Sequence, residues 1–304
     1  MQNKFKAGKI LVFLTIFLFT LYYFQTLYFV ATDHTPPHWD YAAYLKRSLD
    51  ALTAFKQGQL LSFISAYDLH PPGAFLLLGF LFLLLGYSKT VVVLFNFVLL
   101  ALLLIAVYRF IEKLEGKITA GLSGLLILNL VAAGKILNIK LHEFMLDFPQ
   151  AVGIIVVYVG VYYAIKTNSF SLKQAIFLAL VCAYVLWIKA LGGIFLIIPI
   201  IFYGFAVSRF HRILLFYVFL TTTLVVAAGW YFPHLSQLLP FWFYFTVTEG
   251  HNWGNPQGLA GIIFYLKSFI YFGGARLIFL APPLWYRVKK TAGNNLLTKF
   301  ILTS

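Results

Sequence analysis

The segment "WDYAAYLKRSLD", residues 39–50, carries three side chains whose chemistry is complementary. Asp40, Tyr44 and Arg47 follow one another at intervals of four and three residues, a spacing that puts them on one stripe of a helix. A carboxylate, a phenol and a guanidinium facing one way suit a site that handles a hydroxyl and a phosphate. Asp40 also falls at or near the start of that helix, where a carboxylate caps free N–H groups. Capping and proton transfer are compatible in one residue.

Further polar groups stand at the edges of apolar runs. In "YDLHPPGAF" His70 precedes a proline pair that opens a helix. It either caps that start or, with Asp68, faces a polar pocket. "LHEFMLDFPQ" sets Glu143 and Asp147 four apart, on one helical face if the helix starts early enough. Pro149 favours a start near Asp147, which makes Asp147 a natural cap. With His142, the two carboxylates form a candidate site for a divalent cation. "WIKALGG" places Lys189 in a turn, where an ammonium either snorkels to the interface or meets an anionic phosphate beside glycine-rich backbone. "FWFYFTVTEGHNWGNPQG" holds Glu249 and His251 in an aromatic loop. That loop reads as an acceptor platform, a source of metal ligands, or an interfacial aromatic belt. Tyr265, Lys267 and Arg276 follow, each placed to touch a lipid phosphate.

The elements that position these groups are membrane spans. Hydrophobic residues make up 62% of the 304 and charged residues 11%, against roughly half and a quarter in a soluble domain. The chain therefore reads as an all-α polytopic membrane protein. Its single cysteine, Cys182, lies in an apolar run, so there is no disulfide framework. The formal charge of +14 is scattered between apolar runs with no dense patch, which argues against a nucleic-acid partner.

Nine apolar runs approach the roughly 20 residues a spanning helix needs: 10–31, 71–87, 90–110, 118–137, 148–166, 174–188, 190–207, 213–232 and 271–288. The first follows Lys4, Lys6 and Lys9 and ends without a small-residue cleavage site, the pattern of a retained signal anchor. Run 71–87 is ambiguous by hydropathy, and charge decides it. If it does not cross and the N-terminus is cytoplasmic, 14 of the 23 Lys and Arg residues lie inside; if it crosses, the later loops change sides and only 9 do. Cytoplasmic loops favour Lys and Arg, so the non-crossing arrangement is expected, with about eight spans. Residues 32–89 then form a first outer loop with juxtamembrane helices, and 233–270 a later one. Seven of the nine acidic residues collect on the outer face, leaving Glu112 and Glu115 inside.

The order of these pieces resembles the integral-membrane glycosyltransferases of the GT-C fold. The nearest branch is the group of dolichyl-phosphate-mannose protein mannosyltransferases and lipid A aminoarabinose transferases. The resemblance runs over residues 8–290; the chain reads as a single domain, 1–290, with a short tail, 291–304, either a short member of the group or a fragment cut before further spans. It rests on "WDYAAY", "HPPGAF", "LDFPQ", "IKALGG" and the aromatic, Glu-bearing later loop. It implies that Asp40 is the catalytic carboxylate of the first outer loop, and that His70-Pro71-Pro72 opens a helix packed on the membrane. It further implies that Asp147 opens a span, that Lys189 lies near the carrier phosphate, and that Glu249, with His251, fills the acidic position of the later loop. Where the family often carries Asp-Glu, this chain carries Asp40-Tyr41.

The function implied is transfer of a sugar from a polyprenyl-phosphate carrier to a hydroxyl of a lipid, glycan or protein acceptor. The step is one inverting displacement at the outer face of the cytoplasmic membrane. Asp40 would act on the acceptor hydroxyl. Tyr44, Arg47, His70, Lys189, Tyr265 and Arg276 would hold donor and lipid phosphate. Asp147, Glu143, Glu249 and His251 are the candidate ligands of a divalent metal, although the chemistry demands no cofactor. Two other classes fit a many-span chain: a lipid or solute transporter, and a non-catalytic scaffold of the same fold. Transporters place ionisable groups near mid-membrane, whereas here those groups gather in outer loops.

Overall fold

The computed structural model describes residues 2–33, 39–66, 70–132, 141–167, 171–189, 192–206, 210–244 and 263. The chain divides into two compact units, Met1–Tyr231 and Phe232–Ser304. Every regular element among the described residues is an α-helix: α1 Gln2–Thr32, α2 Trp39–Gln57, α3 Leu60–Ser65, α4 Gly73–Leu85, α5 Lys89–Glu115, α6 Lys117–Ala132, α7 Asp147–Thr167, α8 Leu172–Ile188, α9 Gly192–Ala206 and α10 Phe210–Tyr244. The segments Ala7–Thr32, Lys89–Glu115 and Leu214–Phe241 are long and apolar enough to cross a membrane. Along α1, Phe13, Ile16, Phe17, Phe24 and Tyr28 are exposed. A surface this apolar suits lipid rather than water. These are the marks of an α-helical membrane protein. The run expected at 271–288 lies outside the described residues.

Local signals set the helix ends. The Ser88 hydroxyl accepts from the Val91 N–H and caps α5. Ser171 and Gln174 form a capping box at the start of α8. Gly116, at φ +86°, makes the α5–α6 turn in the left-handed region. The apolar run 213–232 lies within α10, which continues through Pro233 and Pro240 to Tyr244. Each proline removes a backbone hydrogen bond. In so apolar a stretch, leaving the helix would expose several backbone groups where one is lost.

Within the first unit, α5 lies against α1, α4, α6 and α7. Phe75, Phe82, Phe95, Phe97, Leu100, Phe144 and Leu146 fill the core there. A second core joins α7, α8, α9 and α10 through Val157, Val161, Leu178, Cys182, Leu196, Leu215 and Phe219. Gly79 of α4 sits so close to α2 that a Cβ there would stand 2.8 Å from the Ala51 Cβ and 2.9 Å from the Ser48 carbonyl oxygen. Such close backbone approach brings many atoms of the two helices into dispersion contact.

Contacts along α1 fix the direction of its neighbours. Gly8 abuts Lys117, just past the end of α5. Further along α1, Phe19 and Tyr23 pack on Phe97, near the start of α5. The two helices are therefore antiparallel, and residues 33–88 leave and return at the same end. Phe29 packs on His142 at that end. Gly8 and Phe29 are about 32 Å apart along the helix axis, close to the thickness of a bilayer's hydrocarbon core. Helix α4, at thirteen residues, is only about 20 Å long.

Candidate functional site

The end of the first unit marked by Phe29 gathers four segments that are distant in sequence: the start of α2, residues 70–75, residues 141–150, and the end of α8. Core packing on α2 uses Tyr41, Leu45, Ser48, Ala51, Leu52 and Ala54. Asp40, Tyr44 and Arg47 lie along the edge of that buried stripe. Asp40 is exposed in the first turn.

Tyr44 meets His70. Its hydroxyl is 3.4 Å from His70 Nε2, and the rings stand edge to face with centroids 5.4 Å apart. Helix α4 has Pro72 as its N-cap, with no side-chain cap bond from that residue. Asp68 lies outside the described residues. Arg47 spreads over the Phe63 ring, 5.3 Å from its centroid, and pairs with Asp50 at 3.8 Å.

Aromatic stacking and one tight approach link this helix to the rest. Tyr44 packs on Phe75, Phe75 on Phe144, and Phe144 on Phe95. A Cβ on Gly73 would stand 2.9 Å from the Trp187 carbonyl oxygen. The opening of α4 therefore lies against the last turn of α8, two residues before Lys189.

Residues 141–146 are shaped by Asn96, a buried amide in α5. Its Nδ2 donates to the carbonyl oxygens of Leu141 at 3.0 Å and Glu143 at 2.8 Å. Those carbonyls are thereby withdrawn from any helical ladder, and α7 starts only at Asp147. The helix starts where Pro149 favours it and not earlier, so Glu143 and Asp147 do not share a helical face. Glu143 stands 3.7 Å from His142 Nε2. Asp147 Oδ1 accepts from Lys189 Nζ at 2.7 Å.

Two residues proposed from sequence for different tasks, one for metal and one for phosphate, are thus each other's partner. Behind them Gln150, itself buried, donates Nε2 to the carbonyl oxygens of Val185 at 3.3 Å and Lys189 at 2.7 Å. The Lys189 N–H bonds to the Val185 carbonyl at 3.3 Å and closes α8.

No group of three metal-ligating side chains forms among the described residues. Glu249, His251, Tyr265 and Arg276 fall outside them.

Sequence reasoning missed three residues here. Asn96 had a signal, being a lone amide in the apolar run "VVVLFNFVLL". Gln150 had a fainter one, in the first turn of α7. Tyr41 had none, since it reads as another interfacial aromatic. Its hydroxyl is buried with no hydrogen-bond partner among the described residues. Burial, chiefly, with Tyr87 and Glu143 adding, pushes the phenol up to about 12.

No family model, no curated protein and no solved structure matches this chain.

Proposed function

We propose that the chain is a GT-C-like membrane glycosyltransferase that moves a sugar from a polyprenyl-phosphate carrier to an acceptor hydroxyl. One observation carries this reading: the Asp40–Tyr44–Arg47 edge of α2, His70 and Lys189 belong to segments that converge at one end of the first unit. Acid–base and phosphate-binding groups there lie within reach of a substrate arriving sideways from the bilayer. The antiparallel run of α1 and α5 and the shortness of α4 support a first outer loop that does not cross. The Lys and Arg distribution favours a cytoplasmic N-terminus in the cytoplasmic membrane, with about eight spans in all.

In the proposed step the acceptor oxygen attacks the anomeric carbon as the bond from that carbon to the phosphate oxygen breaks. The acceptor proton passes to Asp40, and the carrier leaves as polyprenyl phosphate. Lys189 and Arg47 offset the charge that develops on the departing phosphate. Tyr44, steadied by His70, orients the donor by its hydroxyl.

The test is transfer in liposomes containing the purified chain and labelled polyprenyl-phosphate sugars, with wild type beside Asp40→Asn. General-base help is worth about 10²–10⁴-fold, and a loss of that order is expected in the variant. Full turnover in Asp40→Asn would remove Asp40 from the chemistry. Flux of labelled lipid without transfer, equal in both proteins, would favour a transporter. Neither flux nor transfer with any donor would leave a scaffold.

A further inference from the structure

Lys189 offers the ammonium a carrier phosphate needs, yet a carboxylate already occupies it. Asp147 Oδ1 is 2.7 Å from Nζ, and Lys189 keeps 25% of its side-chain surface exposed against 57% for Asp147. The pair is therefore open to solvent or substrate on the Asp147 side. An exposed ion pair of this kind holds weakly, at about 0–1 kcal/mol, so an incoming phosphate anion can compete for the lysine. The lysine backbone, by contrast, is pinned. Gln150 is 7% exposed, and its amide donates to the Lys189 carbonyl oxygen at 2.7 Å. The Lys189 N–H is bonded back to Val185. Loss of the bond from Gln150 would leave an N–H of that buried amide unmatched.

Asp147 also opens α7, and a negative charge is favoured at a helix N-terminus. A phosphate that takes over Lys189 keeps negative charge at that position as Asp147 swings outward.

We propose that Asp147 is an internal stand-in for the carrier phosphate, displaced from Lys189 when the lipid binds, while Gln150 acts as a positioning residue that holds the Lys189 backbone through the exchange. The inference rests on the carrier-phosphate part of the reading above. It gives Asp147 a role opposite to that of a metal ligand, and it brings in Gln150.

The experiment measures binding of farnesyl phosphate, with farnesol as the control lacking phosphate, to the purified full chain in phosphatidylcholine nanodiscs containing a chelator. Lys189→Met is expected to weaken farnesyl phosphate about tenfold, the effect of one good charged contact. Asp147→Asn should tighten it about two- to fivefold, because a weak competitor is removed. Gln150→Met should weaken it about fivefold in the wild-type background and have no effect once Lys189 is Met. Such coupling is expected of residues acting as one unit, and a general loss of packing would not produce it.

Weaker binding in Asp147→Asn would overturn the stand-in role. A Gln150→Met effect that persists without Lys189 would overturn the positioning role. If Gln150→Met does not fold, the sign of the Asp147→Asn change still decides, since that residue is at the surface. Phosphatidic acid competing as well as farnesyl phosphate would overturn the carrier as ligand. Farnesyl phosphate binding no better than farnesol would sink the phosphate reading and this inference together. Binding needs no sugar transfer, so a chain that exchanges Asp147 for phosphate but transfers nothing keeps this inference and loses only the catalytic one.

Discussion

At the α7–α8 junction and at the α5–α6 turn, polar residues are held in opposite ways. Across the junction the Asp147–Lys189 pair joins residues 42 apart at 2.7 Å, and a buried amide backs it. At the turn, Glu112 pairs with Arg109 three residues away at 3.7 Å and with Lys117 at 4.0 Å, and Arg109 is 75% exposed. Nearby, the Lys113 ammonium lies 4.0 Å from the centroid of the Tyr163 ring. The first arrangement needs the tertiary fold and is anchored by amides that cannot be removed without leaving carbonyls unmatched. The second forms within one turn of helix and its neighbour, and solvent screens it. The difference separates a region where the tertiary fold holds particular groups in place from one where ion pairs form between near neighbours in sequence.

Asn96→Leu should break this comparison most forcefully. The variant fills the space but leaves the Leu141 and Glu143 carbonyls without their donor. Removing the Asn96 Oδ1, which is buried without a partner among the described residues, offsets part of the cost. A net loss of about 2 kcal/mol is expected, read as a lower melting temperature in detergent and faster proteolysis within 141–146. Unchanged stability would mean that the segment is held by Phe144 packing and not by the amide.

The legible part of this molecule was what periodicity and hydropathy control. Runs 10–31, 90–110, 148–166 and 174–188 all fall on helices, because an apolar run in lipid has little choice but to satisfy its backbone internally. The shared stripe of Asp40, Tyr44 and Arg47 was readable for the same reason. Pairings across the bundle were not readable. No spacing rule says that a cation at 189 should meet a carboxylate at 147, or that His70 should meet Tyr44. Those choices depend on where α4 and α8 come to rest, and that in turn depends on glycines such as Gly73, which permits the approach to Trp187.

Tyr41 sharpens the contrast through pH. Its phenol is pushed up to about 12 in the folded chain, against about 10 when unfolded. The unfolded state therefore loses its proton first as pH rises. The stabilisation from keeping the phenol neutral is complete below pH 10 and is lost between about 10 and 12. Tyr41→Phe should flatten that fall in the melting temperature across the window. Near neutrality it should leave stability unchanged or slightly higher, since it removes a buried hydroxyl that has no partner among the described residues. An unaltered slope in the variant would assign the alkaline loss to other groups.

The smallest effect should come from the α5–α6 turn. Arg109→Gln removes one side of an i,i+3 pair whose arginine is largely in solvent. Pairs of this type contribute about 0–1 kcal/mol and are screened by salt. The expected change in melting temperature is close to the error of the measurement, and smaller still at high salt. Orientation should respond more than stability, because Lys and Arg near span ends bias which face they occupy. Moving Arg109, Lys113 and Lys117 together to Gln should raise the fraction of chains inserted in reverse, read by accessibility of a tag placed at the N-terminus. A large loss of stability from Arg109→Gln alone would show that this turn, like the α7–α8 junction, is held by tertiary contacts, and the distinction between the two regions would fail.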